Sequence, residues 1–341
     1  MFTSVTARAL AFLVCLLCAS SFPTTAQQQQ TRVLPVTVLA ADGNPIQDLQ
    51  SRNIRVHGKA VQLKSFGPDT SPRRIVLLFD TSGSMAISNG RVTLLQAAIH
   101  TAGLFLDQAS SVDLISVYAF ADKSRQLVPL THNLAAIRAA MNDLPKPEME
   151  RASKKYGTGT DLGNALNSIL DLLSESPQFG DTIVVFSDGL LPRSNADNIM
   201  AFYDQPDYLE RITPRLGTLG VRVFFSLAGN VEGAPPLRGV ERFIGATGGE
   251  SFELNDSGPT FYGGVYDHPE APIYRSNSLE RRAVVLCAAI QETYQLQVQF
   301  ASPLTKPTRL HLDFLDAQGK ALHNMTVLSP EFVYPDANTH R

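Results

Sequence analysis

VLLFDTSGSM, residues 76 to 85, is an apolar run that stops on Asp80 and passes at once into Thr81, Ser82, Gly83 and Ser84. A strand built from Val, Leu and Phe is suited to burial on both faces, as in a parallel sheet. The polar cluster that ends it has two readings. Asp, Ser and Gly make tight turns by bonding their own backbone or tolerating unusual dihedrals. The same side chains are also oxygen donors for a hard cation. The choice depends on whether more oxygen ligands reach the same place in the fold.

From Arg74 onward, apolar strands alternate with amphipathic helices, the pattern of a doubly wound α/β domain. IVLLF (75 to 79), DLISVYAF (113 to 120), TIVVFS (182 to 187) and VRVFFSLA (221 to 228) are near-continuous apolar runs and should form the centre of a mostly parallel sheet. Between them Leu95, Ile99, Ala102 and Leu106 recur at helical spacing, as do Leu162, Leu166, Ile169 and Leu173. RQLVPL (125 to 130) follows DLISVYAF after ADKS alone. That link is too short for a parallel crossover, so the pair should be antiparallel with RQLVPL at one edge, where Pro129 is tolerated.

The flanks differ in pattern. Residues 32 to 66 alternate apolar and polar positions around turn signals at Asp42-Gly43 and His57-Gly58, and YQLQVQF (294 to 300), RLHLDFLDAQGKAL (309 to 322) and TVLSPEFVY (326 to 334) do the same. They are small β segments at both ends of the α/β domain, and alternation leaves open whether they share a sheet. Residues 256–278 carry Gly, Pro and Tyr without periodicity and are expected to be an irregular surface loop. RAVVLCAAI, around Cys287, is expected to be a buried helix within the final segment, 279–341.

With 341 residues, 44% of them hydrophobic, the chain can build one domain of about 200 residues and a smaller partner. The net charge of −3 and the lack of a long Lys/Arg block argue against nucleic-acid or anionic-membrane partners. Arg8, the apolar stretch from Ala9 to Ala19 and the small residue Ala26 have the form of a secretory signal over residues 1–26. The apolar stretch is too short to cross a bilayer. The expectation is therefore export to the periplasm or medium after cleavage near Ala26, with no transmembrane span remaining. Cys15 and Cys18 would leave with the signal. Cys287 would then stand alone and no intramolecular disulfide could form.

In an open parallel sheet, ligands bind outside the carboxyl ends of the strands. Asp80, Ser82 and Ser84 follow the first central strand, GTGTDLGNAL sets Thr160 and Asp161 just before a helix on that rim, and VVFSDG puts Asp188 at the end of another central strand. Each cluster alone has a plain reading: a turn, a helix N-cap at Thr160, a strand-ending turn at Asp188-Gly189. Their coincidence in order and position favours one site. Asp80, Ser82, Ser84, Thr160 and Asp188 are all hard oxygen donors, which suit Mg²⁺ or a similar cation better than zinc. Three hydroxyls and two carboxylates leave at least one position for water or an incoming ligand.

The set Asp80-x-Ser82-x-Ser84, Thr160 and Asp188 resembles the metal-ion-dependent adhesion site of von Willebrand factor A-type domains, with all five positions filled. The resemblance covers about residues 72–255. It implies that Ser82, Ser84 and Thr160 hold the ion directly or nearly so, with Asp80 and Asp188 acting largely through water. It also implies a protein partner whose Asp or Glu completes the coordination of Mg²⁺, or of Mn²⁺ or Ca²⁺. More loosely, the chain resembles exported VWFA-related proteins of Acidobacteria. That likeness rests on the leading segment VTVLAADGNPIQDLQSRNIRV, within residues 27–71, and the trailing strand ETYQLQVQF, and the chain departs from it at 256–278.

The expected function is therefore an exported, metal-dependent protein-binding module of adhesion type, not an enzyme. A metal-stabilised structural or assembly protein is the alternative. A metal-assisted phosphohydrolase is disfavoured: a strand ending in Asp also opens haloacid dehalogenase sites of the form DxD, but position 82 is Ser. Ser-His-Asp hydrolysis lacks the G-x-S-x-G elbow, and His100 and His132 fall in a helix and a loop. In the loop 145–157, Arg151, Lys154 and Lys155 could steer an acidic partner to the rim; ordinary solvated charges are the plainer reading.

Overall fold

The computed structural model describes residues 29–86, 92–144, 160–188, 207–227, 238–253 and 279–336. The signal segment, Arg151, Lys154 and Lys155, and the stretch 256–278 lie outside the described residues.

Three strands come first: β1 (Gln30–Ala40), β2 (Ile54–His57) and β3 (Val61–Pro68). The alternating region follows as β4 (Arg74–Asp80), α1 (Leu94–Gln108), β5 (Leu114–Phe120), β6 (Ser124–Thr131), α2 (Leu134–Asn142) and α3 (Leu162–Ser174). It continues through β7 (Thr182–Ser187), α4 (Asp207–Leu219), β8 (Arg222–Leu227), α5 (Arg238–Thr247) and β9 (Ser251–Glu253). Last come α6 (Leu279–Gln291), β10 (Tyr294–Phe300), β11 (Thr308–Arg309), β12 (His311–Phe314), β13 (Met325–Leu328) and β14 (Phe332–Val333).

The central sheet has the order β6-β5-β4-β7-β8-β9. All its pairings are parallel except β5 with β6, the antiparallel edge. All seven residues of β4 are buried, and they alternate between two cores. Ile75, Leu77 and Phe79 pack with residues of α1, α2 and α6 on one face; Val76 and Leu78 pack with α3, α4 and α5 on the other. Phe79 stacks on Phe186 of β7 with ring centroids 4.7 Å apart. Burying a side chain of this size stabilises by about 1.5–3 kcal/mol, so continuous apolar strands can hold helices on both faces. Of the spaced apolar positions of α1, Leu95, Ala102 and Leu106 are buried and Ile99 is half-buried. α1, α2 and α3 start on side-chain caps: Thr93 accepts from the Gln96 N–H, Asn133 from the Ala136 N–H and Asp161 from the Asn164 N–H.

The flanks do share a sheet, an antiparallel one of order β13-β1-β10-β3. Two short ladders, β2–β12 and β11–β14, accompany it. Leu34, Val36, Phe66, Leu296, Val298 and Phe314 fill its separate core. The α/β domain is inserted between β3 and β10, which are paired neighbours with Pro68 opposite Tyr294. The chain therefore leaves and returns at one place, where the Asp69 N–H donates to the Thr293 carbonyl at 2.9 Å.

TVLSPEFVY is divided in the fold. Pro330 has no N–H to give a ladder; β13 before it joins β1, while β14 after it joins β11. Residues 309–322 likewise supply the end of β11, then β12, then a turn at Gly319, whose φ of +78° suits glycine. Among the described residues, no helix is long and apolar enough to cross a membrane.

Candidate metal centre

Parallel pairing with Phe79 opposite Phe186 brings the carboxyl ends of β4 and β7 side by side. Asp80, the last residue of β4, has no solvent exposure. Its Oδ1 accepts from the Ser82 N–H at 2.8 Å, and its Oδ2 accepts from the Ser187 hydroxyl at 2.7 Å. These bonds fold the chain sharply after β4, and the hydroxyls of Ser82 and Ser84 come within 3.1 Å of each other. Thr81 secures the turn to the next strand through its N–H and hydroxyl, both donated to the Phe120 carbonyl at 2.8 and 2.9 Å.

The cluster before α3 reaches this rim as well. The Asp161 N–H donates to the Ala121 carbonyl, just past β5, at 2.7 Å, and the Asp161 carboxylate caps α3. Thr160 is half-buried immediately before it. Asp188 is half-buried directly after β7. Burial, and then the nearby negative charge of Asp188, raise the Asp80 carboxyl from 3.8 to about 7, although hydrogen bonds from Ser82 and Ser187 favour its ionised form.

The fold treats its other buried carboxylates differently. Asp69 pairs with Arg73, and Asp181 pairs with Arg74, whose Nε is 2.8 Å from Oδ1. Asp113 receives N–H groups from Arg73, Ser110 and Gln291 at 2.9–3.2 Å. Asp80 has the bonds from Ser82 and Ser187 and a like charge beside it. The donors, carboxylate and hydroxyl oxygens, have the chemistry that Mg²⁺, Mn²⁺ and Ca²⁺ accept. Among the described residues, no three His, Cys, Asp or Glu side chains form a ready cage for an ion. This candidate set contains two carboxylates and three hydroxyls.

Two neighbours were not singled out from sequence. Ser187 had a signal, being the polar residue beside Asp188 at the end of an apolar strand. Tyr208, at the start of α4, had none. Its ring lies on the first turn of α3, where a Cβ at Gly163 would stand 2.7 Å from its Cδ2. Its hydroxyl is buried and finds no hydrogen-bond partner among the described residues. Burial and the charges of Asp161 and Asp80 raise its phenol above the usual range.

No curated protein matches the chain. Among solved structures, an aerotolerance-related membrane protein from Bacteroides fragilis NCTC 9343 is 16% identical, with a TM-score of 0.40, over 53% of this chain and 91% of that one. BatB from Bacteroides thetaiotaomicron is 18% identical, with a TM-score of 0.37, over 53% of this chain and 89% of that one. A von Willebrand factor type A protein from Catenulispora acidiphila is 12% identical, with a TM-score of 0.43, over 94% of this chain and 76% of that one. Residues 75–190, the stretch that carries β4, the rim cluster, α3 and β7, match the model of the von Willebrand factor type A domain.

Proposed function

We propose that the chain is an exported protein-binding module whose rim holds a divalent cation and captures an acidic side chain of a protein partner. Mg²⁺ is the leading candidate, with Mn²⁺ or Ca²⁺ as substitutes. Ser82, Ser84 and Thr160 would hold the ion directly or nearly so, and Asp80 and Asp188 largely through water. Neutral hydroxyls leave the ion much of its charge, and that charge supplies the attraction for a partner's Asp or Glu. The rim cluster is taken to be a binding site and not a catalytic one. Export rests on the sequence of residues 1–26, and kinship with acidobacterial exported proteins rests on the flanking β segments.

The observation that carries the proposal is the contrast between Asp80 and the other buried carboxylates. Asp69 and Asp181 receive arginines, whereas Asp80 sits fully buried beside a second acidic group. An arrangement that costs stability when empty persists where a ligand offsets it.

The test is capture of exported proteins by the purified chain in Mg²⁺ and in EDTA, with Thr160→Ala as the variant. Capture lost in EDTA and in the variant, with the sheet intact by circular dichroism, supports ion-mediated adhesion. A metal-dependent rise in melting temperature with capture unchanged assigns the ion a structural role. A melting temperature that ignores millimolar Mg²⁺ and Mn²⁺ refutes the metal site.

A further inference from the structure

Two histidines and a carboxylate form a group on the β flanks, on strands separate from the central sheet that carries the rim. β2 and β12 pair antiparallel with His57 directly opposite His311, and Arg55 opposite Asp313. Residues two apart on a strand share a face. His57, His311 and Asp313 thus stand together on the outer face of the ladder, while Ile54 and Phe314 fill the core beneath. The two imidazoles converge on one carboxylate: His57 Nε2 is 2.8 Å from Asp313 Oδ2, and His311 Nε2 is 3.0 Å from Oδ1. The ring centroids are 6.0 Å apart. All three side chains are open to solvent, at 54%, 76% and 43% exposure.

We propose that His57, His311 and Asp313 form a site for a borderline transition-metal ion, Zn²⁺, Cu²⁺ or Ni²⁺, which pins the N-terminal flank to the C-terminal one. Two imidazoles and a carboxylate are ligands these ions accept, and Mg²⁺ has little affinity for imidazole. As they stand, the three side chains bond one another and do not yet enclose an ion. The required change is small. Ligands about 2.0–2.1 Å from a tetrahedral Zn²⁺ lie about 3.3 Å from each other, which puts two imidazole centroids roughly 5 Å apart. The observed nitrogen–oxygen separations are within about half an ångström of that figure, and the rings must close by about 1 Å. Both are exposed and can turn without disturbing the core. Each Nε2 must present its lone pair, so a neutral ring moves its proton to Nδ1 and a protonated ring releases one to solvent. Arg55, on the same face, opposes a bound cation, and the carboxylate of Asp313 offsets it. Water or a ligand from elsewhere takes the remaining position.

The test uses the full chain in saturating Mg²⁺, which keeps the rim site occupied, and titrates Zn²⁺ by calorimetry. Wild type should bind one equivalent, and His57→Gln, His311→Gln or Asp313→Asn should each weaken it roughly tenfold or more, since even outer-shell partners of metal ligands are worth that much. Cu²⁺ bound to wild type should show two-nitrogen splitting in its electron paramagnetic resonance spectrum, reduced to one nitrogen in either histidine variant. Because the three residues are exposed, the variants should keep the wild-type melting temperature in chelator, which separates loss of ligand from loss of fold. Zn²⁺ binding that survives in the His57→Gln/His311→Gln double variant, or no stoichiometric binding by wild type, overturns the proposal.

Discussion

Asp80→Asn removes a charge from the rim and keeps its shape. The amide oxygen can still accept from the Ser82 N–H, and the amide nitrogen meets the Ser187 hydroxyl, which can turn and accept. In metal-free protein, burial and Asp188 hold the Asp80 carboxyl near 7, against 3.8 for an ordinary one. A carboxyl raised in this way binds more protons in the native state than in the unfolded chain. Its stabilising contribution is complete below pH 3.8 and is lost as the pH climbs to about 7. Each pKa unit is worth about 1.4 kcal/mol, so ionising Asp80 in the folded, metal-free protein costs at most about 4 kcal/mol. Asparagine avoids that cost. Urea unfolding in EDTA should therefore find Asp80→Asn more stable than wild type at pH 8, with the gap much reduced at pH 5. Mg²⁺ at about 100 times its dissociation constant should return roughly 2.7 kcal/mol to wild type and little to the variant, narrowing the gap at pH 8. A variant no more stable than wild type at pH 8 in EDTA would refute the reasoning, as would equal gains of both proteins from Mg²⁺.

Thr160→Ala should leave the apo melting temperature nearly unchanged, because a half-buried hydroxyl at a helix start is replaced by a methyl group, while the Mn²⁺-induced rise in melting temperature is lost; differential scanning fluorimetry with and without Mn²⁺ checks both. Asp181→Asn strands the Arg74 guanidinium, 7% exposed, and should cost about 3–5 kcal/mol in urea unfolding. That loss should be the same in EDTA and in Mg²⁺, since Asp181 precedes β7 at the end opposite the rim.

The sheet was legible because strands covered on both faces must be apolar throughout, and β4, β5, β7 and β8 are written that way. β9 is three residues long, too short to show a period. α4 has its buried Leu209, Ile212 and Leu216 at helical spacing, but Pro214 inside it reads in sequence as a helix breaker. At the site, sequence order and topology point the five oxygen donors to one rim, and the pairing of β4 with β7 sets Asp80 and Asp188 at neighbouring strand ends. The part played by Ser187 depends on the register of β4 against β7, and that of Tyr208 on how α4 lies across α3. Neither relation is local in sequence. Pairing between the flanks was hidden for a similar reason: β1 meets β10 across more than 250 residues, and alternating strands do not name their partners.

The two ends of the parallel strands carry different charged groups, and a test of independence follows. At the amino ends, beside the β flanks, charge is answered within the chain. Asp69 and Asp181 have Arg73 and Arg74, and the buried Arg222 spends its Nε and one terminal nitrogen on Gly248, Ala289 and Thr293. Burial, and then the charge of Arg73, lower the Arg222 guanidinium to about 9, so the end tolerates positive charge only with these bonds in place. At the carboxyl ends, the buried Asp80 is bonded by Ser82 and Ser187 and has the negative charge of Asp188 beside it. An ion bound at the rim therefore changes the balance at one end and leaves the other untouched. Effects at well-separated sites without shared partners add to within about 0.3–0.5 kcal/mol. The stability gained from Zn²⁺ through His57 and His311 should thus be equal in wild type and Asp80→Asn, and the gain from Mg²⁺ equal in wild type and His57→Gln. A coupling well above that margin in a double-mutant cycle would show that rim and flanks share a cooperative element, and the separation of charge between the two ends would not describe how the protein works.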